Sequence, residues 1–147
     1  MYFKSKKIFG QHFLKDANIA GRIVDSLTFN KDYNTVLEIG PGKGILTEFL
    51  LKKNDVNVYV IEIDRNLAGY LKIRFPELDN RIICGDFLKV DLNEFINEPF
   101  GMIGNFPYNI SSQILFKVLE CRDNVPEVVG MFQKEVAARL IASPNTS

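Results

Sequence analysis

Short apolar, β-branched runs alternate with stretches of helical periodicity along the whole 147-residue chain, and that alternation admits few folds. The runs at 35–39, 57–63, 81–84, 102–104 and 128–132 read as strands apolar enough to be buried on both faces, as parallel strands are. Helical patterning fills 45–52, 66–75 (stopped by Pro76), 111–119 and 134–141. An opening helix starts at Asp16, carries Ile19, Ile23, Val24 and Leu27 on one face, and ends near Thr28. The predicted architecture is one α/β domain over residues 1–147, a doubly wound, mostly parallel sheet. Its ligand site belongs at the carboxyl ends of the strands, near the point where strand order reverses.

Composition narrows the class further. Hydrophobic residues make up 46% of the chain and charged residues 24%, with no biased tract, which excludes a disordered or fibrous protein. Eighteen basic residues balance eighteen acidic ones, so any contact with nucleic acid must be local rather than driven by a global field. Lys4, Lys6 and Lys7 beside Phe3 and Phe9 are one candidate, although such a cluster also suits a solvated tail. Cys84 and Cys121 have no CxxC spacing and His12 is the single histidine, so no zinc set can be assembled and no metal is expected. Both thiols are expected to be buried, in a reducing compartment. No apolar stretch reaches the length of a signal peptide or a membrane span, so the expectation is a cytoplasmic protein without a membrane partner, and a monomer.

Four motifs fall at the strand ends. After the first strand comes Glu38-Ile39-Gly40-Pro41-Gly42-Lys43-Gly44, a glycine turn that lets a ligand approach the backbone. Ile45 stands where a dinucleotide fingerprint needs its third glycine, and the loop lacks the late Ser or Thr of a phosphate-binding loop. The second strand ends in Glu62-Ile63-Asp64, about twenty residues past the glycine loop, where an acid accepts the hydroxyls of a ribose; Glu62 is the better placed. The third ends in Cys84-Gly85-Asp86-Phe87, putting Asp86 in reach of an adenine amino group. Three acids beside a glycine loop describe a site for an adenosine-bearing ligand without phosphates, since carboxylates repel pyrophosphate.

The fourth motif is Gly104-Asn105-Phe106-Pro107-Tyr108-Asn109-Ile110-Ser111. Methylating an exocyclic amine requires a planar base to be held, its NH2 to be oriented by two acceptors, and its nitrogen to be aimed at the donor methyl. The Asn105 side chain can supply one acceptor and the backbone carbonyl of Phe106 or Pro107 the other, with Pro107 fixing the turn. Tyr108 offers the stacking face, worth about 1–3 kcal/mol for a base.

These blocks resemble the ribosomal RNA adenine N6,N6-dimethyltransferases. Residues 9–14 (FGQHFL) are similar to that family's N-terminal signature, 38–42 (EIGPG) to its glycine loop and 105–111 (NFPYNIS) to its catalytic motif, and the resemblance runs from Lys7 to Ser147. Residues 133–140 (QKEVAARL) look more like its housekeeping branch than its antibiotic-resistance branch. The resemblance implies a Rossmann-like class I methyltransferase fold with S-adenosylmethionine as cofactor. It implies that His12 and Leu14 touch the cofactor, that Gly40 lines its methionine end, and that Gln11, Glu38, Gly42, Ile63 and Phe87 belong to the cofactor-binding set. Glu62 would bind the ribose, Asp86 would meet the adenine, and Asn105 would lie between cofactor and target amine. His12 stands where Asn is commoner, and Phe106 where Leu or Ile is commoner. The implied catalytic set is Asn105, Phe106, Pro107 and Tyr108, acting by in-line attack of the adenine nitrogen on the methyl.

The implied substrate is a pair of adjacent adenines near the 3′ end of small-subunit rRNA, in an assembling ribosomal particle. Two alternatives stay open: a large-subunit rRNA adenine methylase, and a noncatalytic ribosome-assembly factor. Family members continue into closing strands and a C-terminal helical domain that helps bind RNA, so the chain is expected to be a truncated catalytic domain.

Overall fold

A parallel strand needs partners on both sides for its backbone groups to be fully satisfied. In a computed structural model, which describes residues 16–30, 32–106 and 111–131, β1 (Thr35–Ile39) is the central strand. It pairs with β2 (Asn57–Glu62) on one side and β4 (Phe100–Asn105) on the other, and all five of its residues are buried. The edges are β3 (Ile82–Cys84) and β5 (Val128–Met131), giving a five-stranded parallel sheet of order β3-β2-β1-β4-β5. Strand order reverses between β1 and β4, which puts the switch point next to the glycine loop.

Among the described residues four α-helices flank the strands: α1 (Ala17–Asp25), α2 (Ile45–Leu51), α3 (Arg65–Arg74) and α4 (Ser111–Glu120). Period-two alternation divides the strand residues between two core clusters. Val36, Val58, Val60 and Ile103 pack with Ala20 and Val24 of α1, Leu46 and Leu50 of α2, and Leu71 of α3. Leu37, Ile39, Ile61, Ile83 and Met102 pack with Ile114 and Val118 of α4. Helices therefore cover both faces, as the alternation of patterns predicts.

The start of α1 is the one read from sequence: the Asp16 carboxylate accepts from the backbone N–H groups of Asn18 (2.9 Å) and Ile19 (3.3 Å). Ile19, expected on the inner face, is 37% exposed, and Ala20 takes its place in the core. The start of α3 lies one residue earlier than expected, because Asp64 caps it through the N–H groups of Asn66 and Leu67. Strand β4 extends two residues before 102 and one past 104. Gly101 hides that extension from a reading of side chains, yet a Cβ there would sit 2.8 Å from the Tyr33 ring, so its bareness makes room for Tyr33.

Two expectations fail at β3. With a neighbour on one side only, this three-residue strand buries Ile83 alone, and Cys84 is exposed. Cys121 is half-buried, and burial pushes its thiol pKa up. The predicted helix at 134–141, Phe132 at the predicted end of β5, and the Lys4, Lys6, Lys7 cluster lie outside the described residues. No helix among the described residues is long and apolar enough to cross a membrane.

At the amino ends of the strands, Glu127 latches the loop after α1 to the entry of β5. Its carboxylate accepts from the Thr28 N–H (3.0 Å), the Thr28 hydroxyl (2.9 Å) and the Tyr33 hydroxyl. Burial and this carboxylate push the Tyr33 pKa up, while the donated hydrogen bonds outweigh burial and hold that of Glu127 down.

Gly44 starts α2 at φ +93°, and a Cβ on it would fall 2.4 Å from the Phe75 ring. Gly44→Ala is expected to lower stability by about 1–3 kcal/mol through left-handed strain and overpacking, read from the urea midpoint.

Candidate active site

Because every strand runs the same way, the motif residues arrive at one edge. Register fixes their order: Ile39 lies opposite Ile61 of β2 and Gly104 of β4, so the next residues out, Glu62, Gly40 and Asn105, form a row across three strands. The Gly40 N–H donates to the Ile61 carbonyl at 2.9 Å, and the Gly85 N–H to the Glu62 carbonyl at 3.0 Å, which extends the row to the turn carrying Asp86.

The glycine loop turns sharply over this row. Gly40 has φ +65°, and among the described residues no heavy atom lies within 4 Å of where its Cβ would be, so the described part of the protein leaves open space over the backbone at the centre of the edge. Gly42 donates its N–H to Glu62 Oε1 at 3.1 Å. The other oxygen of Glu62 accepts from the Asp64 N–H at 2.9 Å. Glu62 is fully buried, and two backbone amides from different loops set the plane of its carboxylate. From α3, Arg74 donates to the Lys43 carbonyl and bridges Glu48 at 3.3 Å, fastening the far side of the loop.

Glu38 sits differently from the expectation that it faces the ligand. It is the fourth residue of β1, paired with Val60 and Ile103, and its side chain is 1% exposed beneath the row, toward α2. The Thr47 hydroxyl donates to its carboxyl group. Burial raises its pKa to about 8 against that hydrogen bond, with the Glu62 charge adding to the rise. Glu38 is therefore a mostly neutral acid at pH 7, bracing β1 against α2. Thr47 went unremarked in the sequence, though an unpaired acid in an apolar strand signals that a hydroxyl or amide partner must exist.

Asp86 is half-buried and accepts from the Leu88 N–H at 3.0 Å, an Asx turn at the end of β3. Ile63, 38% exposed, offers an apolar surface beside Glu62. Phe87 and Phe106 carry their rings into the core, at 5% and 4% exposure, so only their backbones remain at the edge. Asn105 is half-buried at the end of β4. Gln11, His12, Leu14, Pro107 and Tyr108 lie outside the described residues. Among the described residues no group of three or more His, Cys, Asp or Glu could hold a metal ion.

Oriented carboxylate, glycine turn and strand-end asparagine meet at the switch point of a reversed parallel sheet, the Rossmann-like fold of the class I methyltransferases. Solved structures agree. The chain is similar to the 23S rRNA methyltransferase ErmE (32% identity, TM-score 0.71, covering 86% of this chain and 50% of that one). It is also similar to a dimethyladenosine transferase from Plasmodium falciparum (34% identity, TM-score 0.66, covering 88% and 46%). An RNA methyltransferase from Salinibacter ruber, solved with S-adenosyl-L-homocysteine, shares the fold at 14% identity and a TM-score of 0.63, covering 82% of this chain and 79% of that one.

Residues 2–147 match the ribosomal RNA adenine dimethylase family, and the chain belongs to it. Among curated relatives, ribosomal RNA small subunit methyltransferase A of Cytophaga hutchinsonii is 57% identical over 139 residues, 95% of this chain and 54% of the relative. The protein of the same name from Flavobacterium johnsoniae is 56% identical over 138 residues, 93% of this chain and 52% of the relative. The chain thus spans about half the length of these relatives.

The Glu38 proton gives a signed prediction. A carboxyl group whose folded pKa lies near 8 keeps its proton while the unfolded one, near 4.5, releases it. Its contribution to stability is therefore greatest below about pH 4.5, falls as pH rises to 8, and then levels. Glu38→Gln keeps an acceptor for Thr47 without the charge. It is expected to leave stability nearly unchanged at pH 5 and to raise it by a few kcal/mol at pH 8, read from urea unfolding at both values.

Proposed function

We propose that the chain carries the catalytic half of an enzyme that moves methyl groups from S-adenosylmethionine to N6 of two adjacent adenines near the 3′ end of small-subunit rRNA. The observation that carries the reading is the row Glu62, Gly40 and Asn105: a fixed acceptor, open space and a polar amide in consecutive positions across the switch point. The small-subunit assignment draws support from relatives at 57% and 56% identity that bear that name, against 32% for the large-subunit enzyme ErmE.

In this reading Glu62 accepts the ribose hydroxyls, with Ile63 against the sugar, and Asp86 accepts from the adenine amino group. Gly40 and Gly42 let the methionine portion lie close to the backbone, Gln11, His12 and Leu14 touch the cofactor, and buried Glu38 supports the loop from below. The bound cofactor supplies an electrophilic methyl on a positively charged sulfur. Asn105 and the backbone carbonyl of Phe106 or Pro107 orient the target amine, Pro107 fixes the turn, and Tyr108 stacks on the base. Held in line by Asn105 and that carbonyl, the amine nitrogen would take the methyl as the carbon–sulfur bond pair stays on sulfur, and its proton would pass to water. Catalysis here rests on positioning, which for oriented reactants supplies several kcal/mol. The proposed setting is a small-subunit ribosomal particle in the cytoplasm, and the proposed acting form is a monomer.

Two measurements test this. Nucleoside mass spectrometry after incubation with S-adenosylmethionine and unmethylated small-subunit particles should show dimethyladenosine, and Asn105→Ala should lower its rate about a hundredfold or more. Product on large-subunit rRNA alone would instead support the large-subunit methylase. Function retained in ribosome assembly by Asn105→Ala would support the noncatalytic assembly factor. Glu62→Ala should weaken cofactor binding by about 1–3 kcal/mol in titration calorimetry, and an unchanged affinity would remove Glu62 from the site.

A further inference from the structure

Lys117 occupies the inner side of α4, three residues after Ile114 and one before Val118, both of which are buried. A lysine on such a face must find acceptors inside the protein. It finds two backbone carbonyls: its ammonium donates to the Phe87 oxygen and, at 2.6 Å, to the Val90 oxygen, and it lies 4.6 Å from the centre of the Phe87 ring. Burial pulls the Lys117 pKa down against the charges of Cys121, Asp86, Asp91 and Glu120.

The two carbonyls belong to the turn that leaves β3. Within it the Asp86 carboxylate accepts from Leu88, and the Asp86 carbonyl accepts from the N–H groups of Lys89 and Val90 at 2.9 Å each. The ammonium gathers the outward carbonyls of this turn, so the turn is tied from both sides. Charge-assisted hydrogen bonds of this kind are about twice as strong as neutral ones. The same helix begins at Ser111, the last residue of the Asn105 motif.

We infer that Lys117 is a positioning residue for cofactor selection: acting through the turn at 86–90 and touching no ligand, it holds the Asp86 carboxylate where that group recognises the adenine amino group. The inference rests on the assignment of Asp86 to the adenine in the function proposed above. It separates two ligands that differ at one position. S-adenosylhomocysteine carries an amino group that can donate to Asp86; S-inosylhomocysteine carries an oxygen there and cannot.

The test is titration calorimetry of both compounds with the full chain and with Lys117→Met and Lys117→Arg. The unchanged protein should prefer the adenosyl compound by about tenfold or more. Lys117→Met should lose most of that preference, chiefly by weaker binding of the adenosyl compound, while Lys117→Arg, which keeps the charge and donors, should retain it. An undiminished preference in Lys117→Met, or an equal loss for both compounds, overturns the inference and leaves the cofactor site standing. Should Lys117→Met fail to fold, Lys117→Gln carries the same comparison with the same overturning result. If the unchanged protein binds neither compound, the cofactor reading itself fails; if it binds both equally, the Asp86 assignment fails. The inference falls in either case.

Discussion

Strand β1 bears the site. It is hydrogen-bonded on both sides, it ends where strand order reverses, and inside it lies a carboxyl group whose nearest hydroxyl is on the following helix. An acid with no water around it is tolerable when neutral and hydrogen-bonded, and the Thr47 contact fixes the spacing of β1 and α2. That spacing determines where the glycine loop must turn. From the turn follow the Gly42 N–H, the orientation of Glu62 and the open space over Gly40. Remote fastenings maintain it: Arg74 on the loop carbonyl above, and Glu127 with Thr28 and Tyr33 at the opposite edge of the sheet.

The two faces of the sheet carry different duties. Helices α1, α2 and α3 cover the face beneath which Glu38 lies, and their packing secures the glycine loop. Helix α4 covers the other face together with Phe87, Phe106 and Leu92, and its packing secures the turn after β3. In the proposed function, cofactor recognition is thus divided between the two cores that lie on opposite faces of the strands. Parallel architecture makes this division possible, because every strand delivers its last residue to the same edge whichever face its neighbours occupy.

Much of this was legible in the residues, and the failures share a cause. The bounds of β1 match the sequence reading, since β-branched residues bracketed by Asn34 and a glycine turn leave little freedom. The cap at Asp16 was equally plain. The Thr47 partner of Glu38 was not legible because a strand-end acid and an acid one residue further in look alike in sequence, while period-two geometry turns them toward different surroundings. Lys117 was passed over because its partners are carbonyls, which every residue has; only its place among Ile114 and Val118 in the helical period marks it as inward. Cys84 was expected inside because apolar neighbours suggest a core, but edge position overrides local composition.

The buried Glu38 also alters the charge inventory of the folded molecule. Counting side chains gives a net charge of zero, with every acid ionised. Near neutral pH this one retains its proton in the folded chain and gives it up in the unfolded chain, so folding draws almost one proton from the surrounding buffer through this group. Through this group the heat measured for folding at pH 7 then depends on the ionisation enthalpy of the buffer chosen.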